Sequence, residues 1–234
     1  MVNLLIATRN AHKVSEIRAI LGGRFHYLTL NDFPDAPEVI EDAATFGGNA
    51  TRKAVGLAAW LATGQGAKIG ARQDEWYVLA DDSGLEVDAL QGAPGVHSAR
   101  FAALDTGKPG NSPTADNNAK LLRLLAKVPD AKRTARFRCV LALTPVPRPD
   151  RGSAFPAFSA DEVESKTELF EGACEGRIVA APRGCGGFGY DPLFIPSGYR
   201  QTFGELSEET KNRLSHRAKA LEKLGRRFKL LPES

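Results

Sequence analysis

Two adjacent aspartates, Asp81 and Asp82, stand with Ser83 and Gly84 at the end of the apolar run "WYVLADDSGLEV". Carboxylates at the end of a buried strand cost folding free energy unless a cation pairs with them, because an unpaired buried charge is expensive. A divalent metal supplies such a cation. Mg²⁺ prefers oxygen ligands and commonly joins one or two carboxylates to substrate phosphates. The competing account is an ordinary exposed turn, for which Asp, Ser and Gly are favoured. A second acidic pair, Glu41 and Asp42 in "VIEDAATFGGNATRKA", precedes a helical stretch carrying Asn49 and Lys53 four residues apart. That spacing puts both side chains on one helix face, although acidic residues before a helix also fit plain dipole electrostatics.

The stretch "ATRNAHK" brings Thr8, Arg9 and Asn10 to the start of another helical segment. Unpaired backbone N–H groups and the positive dipole end make an anion site there, and Thr and Asn serve equally as plain caps. Capping leaves Lys13 unexplained, because a cation in the first turn opposes the dipole unless an anion sits nearby. "GCGGFGYD" sets four glycines around Phe188 and Tyr190 and ends in Asp191. Glycines such as Gly189 let backbone approach a ligand closely, and an aromatic ring in such a loop can stack on a planar base. A hairpin whose Phe188 folds inward explains the same residues, and the Gly-Lys-Ser/Thr ending of a P-loop is missing. Lys211, His216 and Arg217 offer donors near the C-terminus, yet helical phase puts His216 about 200° from Leu214, which predicts a solvated face. His12, His26 and His97 have no partner spacing, and no Ser/His/Asp or Cys/His triad can be argued.

The elements that must position these residues follow from apolar periodicity. "NLLIAT" reads as a strand and "NAHKVSEIRAIL" as a helix with Val14, Ile17, Ile20 and Leu21 on one side. A second helix is predicted from Thr45 to Ala62 with Phe46, Ala50, Ala54, Leu57, Ala58 and Leu61 on a shared face. The segment at 64–75 reads as an exposed loop, and "WYVLADDSGLEV" as a strand broken at Gly84. A third helix is predicted near Ala115–Lys127, ahead of Pro129, and "ARFRCVLALT" alternates so that Phe137, Cys139, Leu141 and Leu143 face a core. After a hairpin loop or insertion at 145–160 come a strand pair around "LFEGACEGRIVA" and one last helix over "LSEETKNRLSHRAKALEKLGRRF". Strands alternating with helices, with some paired strands, predict α/β with a mixed sheet.

Bulk composition excludes several classes. At 234 residues and 42% hydrophobic, the chain can bury a sizeable core as one large domain or two small ones. A net charge of +3 is too small for a nucleic-acid footprint without clustering, though it suits a small anionic ligand. Three cysteines without Cys-x-x-Cys spacing support neither a disulfide framework nor a zinc site, and read as reduced thiols. The apolar runs are too short to span a bilayer, so the expected location is the cytosol.

Taken together, "ATRNAHK", "EDAATFGGNATRKA", "LADDSGLEVDALQGAPGVHSARF", "FRCVLAL", "GGFGYDPLF" and "ELSEETKNRLSHRAKAL" resemble, in order, the motifs of the inosine triphosphate pyrophosphatase family. These are house-cleaning enzymes acting on damaged purine nucleotides. The resemblance implies one domain over residues 1–234, an elongated α/β fold whose long mixed sheet is flanked by helices, and two lobes with a central substrate cleft. It implies a homodimer, and Mg²⁺-dependent hydrolysis of ITP, dITP and XTP to the monophosphate and pyrophosphate. By motif position Thr8, Asn10, Lys13 and Lys53 would hold the triphosphate, and Glu41 and Asp82 the metal. Asp82 would also be the base, Ser83 would contact substrate, and Phe188, Gly189, Tyr190, Asp191, Lys211, His216 and Arg217 would surround the purine. Three positions depart from the pattern: Gly48 where many members have Glu, Ala43 where Gly is common, and Arg9, which could add a phosphate ligand, where a small residue is frequent.

Two other readings share these residues. One is a pyrophosphatase for modified pyrimidines or canonical dNTPs. The other is a nucleotide- or RNA-binding module, favoured by the aromatic glycine-rich loop and disfavoured by the acidic pair, which repels phosphate without a metal. Neither a membrane nor a stable nucleic-acid partner is expected.

Overall fold

The first strand and helix form where the apolar periodicity puts them: β1 is Val2–Ile6 and α1 is Ala11–Leu21. The structure is a computed structural model and describes residues 2–65, 75–107, 109–147 and 159–229. Most of the two segments expected as loops, 64–75 and 145–160, lies outside the described residues. The remaining elements are β2 (Phe25–Thr29), α2 (Phe46–Trp60), β3 (Trp76–Val87), α3 (Thr114–Leu125), β4 (Thr134–Pro145), α4 (Ala160–Ser165), β5 (Glu168–Ile178), β6 (Phe194–Pro196), α5 (Glu208–Leu214) and α6 (His216–Arg227). The six strands lie in one sheet in the order β2-β1-β3-β4-β5-β6. β1 runs parallel to β2 and β3, and β5 antiparallel to β6, so the expected mixed α/β fold is borne out. Among the described residues no helix is long and apolar enough to cross a membrane.

Two compact units divide the chain. The first comprises Met1–Asp82, Val140–Glu171 and Ala220–Ser234, and the second Ser83–Cys139 and Gly172–Lys219. The core of the first unit joins β1, β3 and β4 to α2 through Leu5, Ala54, Leu57, Ala58, Val78, Ala80 and Ala142. All six apolar residues expected on the α2 side are buried, and the Thr45 hydroxyl starts that helix by accepting from the Gly48 N–H. The core of the second unit gathers Leu85, Val87, Leu121, Leu125, Phe137, Leu193, Phe194 and Phe203. β4 alternates up to Cys139 and is then buried on both faces through Thr144, as a central strand covered on both sides should be. Cys139 is a buried free thiol, as its place in that alternation predicts.

Three expectations are corrected. Gly84 does not break β3, because burial of Leu79, Ala80, Leu85 and Val87 around it outweighs the roughly 0.5–1 kcal/mol that a glycine costs inside a strand. The stretch expected as a strand pair is the single strand β5. Its Gly176 marks close approach rather than a turn, since a Cβ there would lie 2.2 Å from the Ile195 carbonyl oxygen of β6. The last helix is two helices. Ser215 takes an extended conformation (φ −65°, ψ 157°) between α5 and α6, and its hydroxyl accepts from the Ala218 N–H at 3.1 Å, capping α6.

Candidate active site

In the first unit the polar residues converge from four segments. Asp81 and Asp82 lie at 4% and 8% exposure in β3, which excludes the exposed-turn account of this pair. Lys13, from the first turn of α1, forms an ion pair with the Asp81 carboxylate and reaches the Asp81 carbonyl at 3.4 Å. Its position against the dipole is thereby explained without a ligand. Asn10 caps α1, its Oδ1 accepting from the His12 and Lys13 N–H groups at 2.9 and 3.2 Å, and the Thr8 hydroxyl accepts from the Asn10 N–H. Arg9 is exposed beside them.

One face of α2 holds the other two carboxylates. Asn49, 1% exposed, donates through Nδ2 to Asp82 Oδ2 at 3.0 Å, and its Oδ1 accepts from the Ala43 N–H at 2.8 Å. One turn on, Lys53 is ion-paired with Glu41. Thus the spacing of Asn49 and Lys53 clamps the 41–43 loop and the middle of β3 to a single helix. Burial pushes the Asp82 carboxyl up to about 6, the charges of Glu41 and Asp81 add to the rise, and the Asn49 hydrogen bond and Lys13 oppose it. Two of the unusual positions also explain each other: a Cβ on Gly48 would stand 2.8 Å from the Cβ of Ala43, so alanine at 43 requires glycine at 48.

In the second unit two buried cations, Lys211 and Arg217, lie beside Phe188, with His216 next to Arg217 in sequence. Lys211, His216 and Arg217 are 5%, 5% and 1% exposed, which corrects the expected solvated face. The break at Ser215 restarts the helix and shifts the phase on which that expectation rested. Lys211 Nζ donates to Asp191 Oδ2 at 2.8 Å and stands 4.6 Å from the centre of the Phe188 ring, with the Arg217 guanidinium 5.8 Å from it. Arg217 also donates to the Ser83 hydroxyl at 3.0 Å. Asp191 Oδ2 accepts from the Phe188 N–H at 2.7 Å, and Gly187 (φ +72°) allows this tight loop, because a Cβ there would sit 2.2 Å from that oxygen. Gly189 is tied down by Asn118 Nδ2 on its carbonyl at 3.2 Å. Tyr190 is turned into the core, its hydroxyl donating to the Ser98 carbonyl at 2.9 Å.

Sequence reasoning put Phe137 in the core, where it lies, but missed that its ring stacks on His216 at 4.9 Å and 12°. It also missed Ser215 as a cap and Asn118 as a loop anchor, and it put Asn49 on the right face without giving it a role. Asn49 carried a local signal in its spacing from Lys53 and Phe137 in the alternation of its strand, whereas Ser215 and Asn118 carried none.

Fold and clusters already define a class: a mixed-sheet α/β protein with one polar site of carboxylates and lysines and another of buried cations around an aromatic ring. Its family follows from comparison. Residues 4–227 match the Ham1 family, and the chain belongs to it. The relative named dITP/XTP pyrophosphatase from Desulforamulus reducens is 46% identical over 223 residues, 95% of this chain and 93% of the relative. That of Shouchella clausii is 43% identical over 221 residues, covering 94% and 93%. Among solved structures, a HAM1 protein from Coxiella burnetii superposes with a TM-score of 0.75 at 31% identity, covering 99% of this chain and 100% of that one. The Staphylococcus aureus Ham1 protein gives 0.70 at 30% identity, covering 97% and 98%. The family read from the six ordered motifs is borne out.

Proposed function

We propose that this protein hydrolyses non-standard purine nucleoside triphosphates, ITP, dITP and XTP, to the monophosphate and pyrophosphate. The family and the relatives named dITP/XTP pyrophosphatase support the substrate class. The observation that carries the chemistry is the α2 face that holds both Glu41 and Asp82.

The donor set fits a hard divalent cation. Two carboxylates offer oxygen ligands, and Asp82 sits in surroundings that raise its carboxyl, a destabilised charge that a cation relieves. Among the described residues no three or more His, Cys, Asp or Glu side chains group to hold a metal by themselves. Mg²⁺ suits a site of one or two carboxylates that substrate phosphates complete. Bound by Glu41 and Asp82, Mg²⁺ supplies positive charge for the charge developing on the phosphates.

The chain's own residues do the rest. Lys13 and Lys53 neutralise the triphosphate, with Thr8, Arg9 and Asn10 at the start of α1 adding donors. Asp82 takes the proton of the water that attacks the α-phosphorus; its carboxyl is raised to about 6 in the metal-free protein, and a cation bound beside it would bring it down again. In the second unit Phe188 stacks on the purine, while Lys211, His216 and Arg217 present donors to a 6-oxo group. Adenine's 6-amino donor would leave those buried donors opposed, a large penalty. Tyr190 and Asp191 hold the loop in place, and Ser83 contacts substrate. The same reading includes a homodimer acting in the cytosol, with no membrane or stable nucleic-acid partner.

Incubation with ITP and Mg²⁺ in ¹⁸O-water tests the reading: the label should appear in IMP, with unlabelled pyrophosphate released. IDP plus phosphate, or no turnover of ITP and XTP, would overturn it.

A further inference from the structure

The carboxylates assigned to the metal are held in different ways. Asp82 is gripped by a neutral amide, Asn49 Nδ2 at 3.0 Å, whereas Glu41 is ion-paired with the ammonium of Lys53. Both holders leave the same face of α2 one turn apart. Nearby, Lys13 is ion-paired with Asp81. Each lysine assigned to phosphate therefore already has a carboxylate, and one of those carboxylates is an assigned metal ligand.

We propose that Lys53 is a place-holder for the divalent cation: before substrate arrives its ammonium occupies Glu41, and it moves to the triphosphate as the metal takes that carboxylate. The proposal deepens the proposed function and rests on its assignment of Glu41 and Asp82 to the metal. The pair is partly buried, at 18% side-chain exposure for Lys53 and 31% for Glu41, so a partner lost is not fully replaced by water. A metal arriving alone must displace Lys53 and strand an ammonium beside itself. A triphosphate arriving alone must draw Lys53 away and leave the Glu41 carboxylate facing phosphate. Arriving together, they exchange one ion pair for two, and by linkage each tightens the other by the same factor. Lys53 thus acts as a positioning residue before it acts as a phosphate ligand, and it disfavours metal bound without substrate.

Triphosphates chelate divalent cations in solution, so joint binding is not diagnostic by itself. The test is Mn²⁺ alone, titrated into nucleotide-free protein and followed by electron paramagnetic resonance of the free ion. Lys53→Met should bind Mn²⁺ roughly tenfold more tightly than the unsubstituted protein, within the usual range for coupled sites, while Lys53→Arg, which keeps the charge, should bind as the unsubstituted protein does. In a Glu41→Gln background the gain from Lys53→Met should shrink to about twofold or less, since a double-mutant cycle isolates the pair. Unchanged Mn²⁺ affinity in Lys53→Met, or a full gain persisting without Glu41, overturns the proposal. Formation of IMP and pyrophosphate alongside either result would leave the proposed function standing and sink the place-holder alone. Absence of Mn²⁺ binding in every variant would overturn the place-holder, and absence of Mn²⁺ binding even together with a non-hydrolysable analogue of inosine triphosphate would overturn the metal assignment as well.

Discussion

Asp82 carries a charge that the folded protein disfavours. Its carboxyl rises from the ordinary 3.8 to about 6, chiefly through burial. A carboxyl with a raised folded value holds its proton more tightly folded than unfolded. The metal-free protein therefore loses stability as the pH climbs from about 4 to about 6 and carries the full penalty above that window. Asp82→Asn removes the charge while keeping an oxygen to accept from Asn49. Scanning calorimetry without metal should show the variant more stable at pH 7.5 by about 1–3 kcal/mol, since each tenfold change in proton affinity is worth about 1.4 kcal/mol, with the difference closing toward pH 4. Turnover of ITP should fall by about a hundredfold or more, the usual scale for a lost general base. A variant that is less stable at pH 7.5, or one that keeps its turnover, would remove Asp82 from this role.

At the scale of the element, Ser215 decides where three base-site residues go. It ends α5 through its N–H on the Lys211 carbonyl and begins α6 by capping, so Lys211 lies before the break and His216 and Arg217 after it. A continuous helix and a capped break respond oppositely to substitution. Inside a helix alanine is better than glycine by about 1 kcal/mol, whereas at a cap alanine costs about 1 kcal/mol and glycine only a few tenths. Urea unfolding should therefore rank Ser215→Gly above Ser215→Ala, and the alanine variant should also lose part of its preference for ITP over ATP. The reverse ranking would mean that the helix runs through. Apolar spacing over "RLSHRAKAL" continues unbroken across the serine, so periodicity could not reveal the stop. By contrast β1, α1, α2 and α3 were legible because each has a sustained apolar face and a local start or stop signal. The Asn49–Lys53 face was legible as spacing and the "GCGGFGYD" loop as composition. The stacking of Phe137 on His216 joins β4 to α6 across 79 positions of sequence, and no local pattern encodes such a contact.

Across the whole molecule, each unit has its own core and its own polar cluster, and the first of the chain's four passages between them falls between Asp82 and Ser83. The carboxylates and lysines belong to the first unit, and the buried cations around Phe188 to the second. If the triphosphate and the purine are divided in this way, fragments of the substrate should act on separate parts of the chain. Hydrogen exchange read by mass spectrometry should show Mg²⁺ with tripolyphosphate slowing amides within 8–13 and 41–53, and inosine alone slowing those within 187–191 and 211–217. Protection at a hundredfold excess over Kd is limited to about 2.7 kcal/mol in each case. Tripolyphosphate protecting 187–191 and 211–217 while leaving 8–13 unchanged would reverse the assignment of the two clusters. Protection of both sets by each fragment would mean that phosphate and base recognition are not divided between the units.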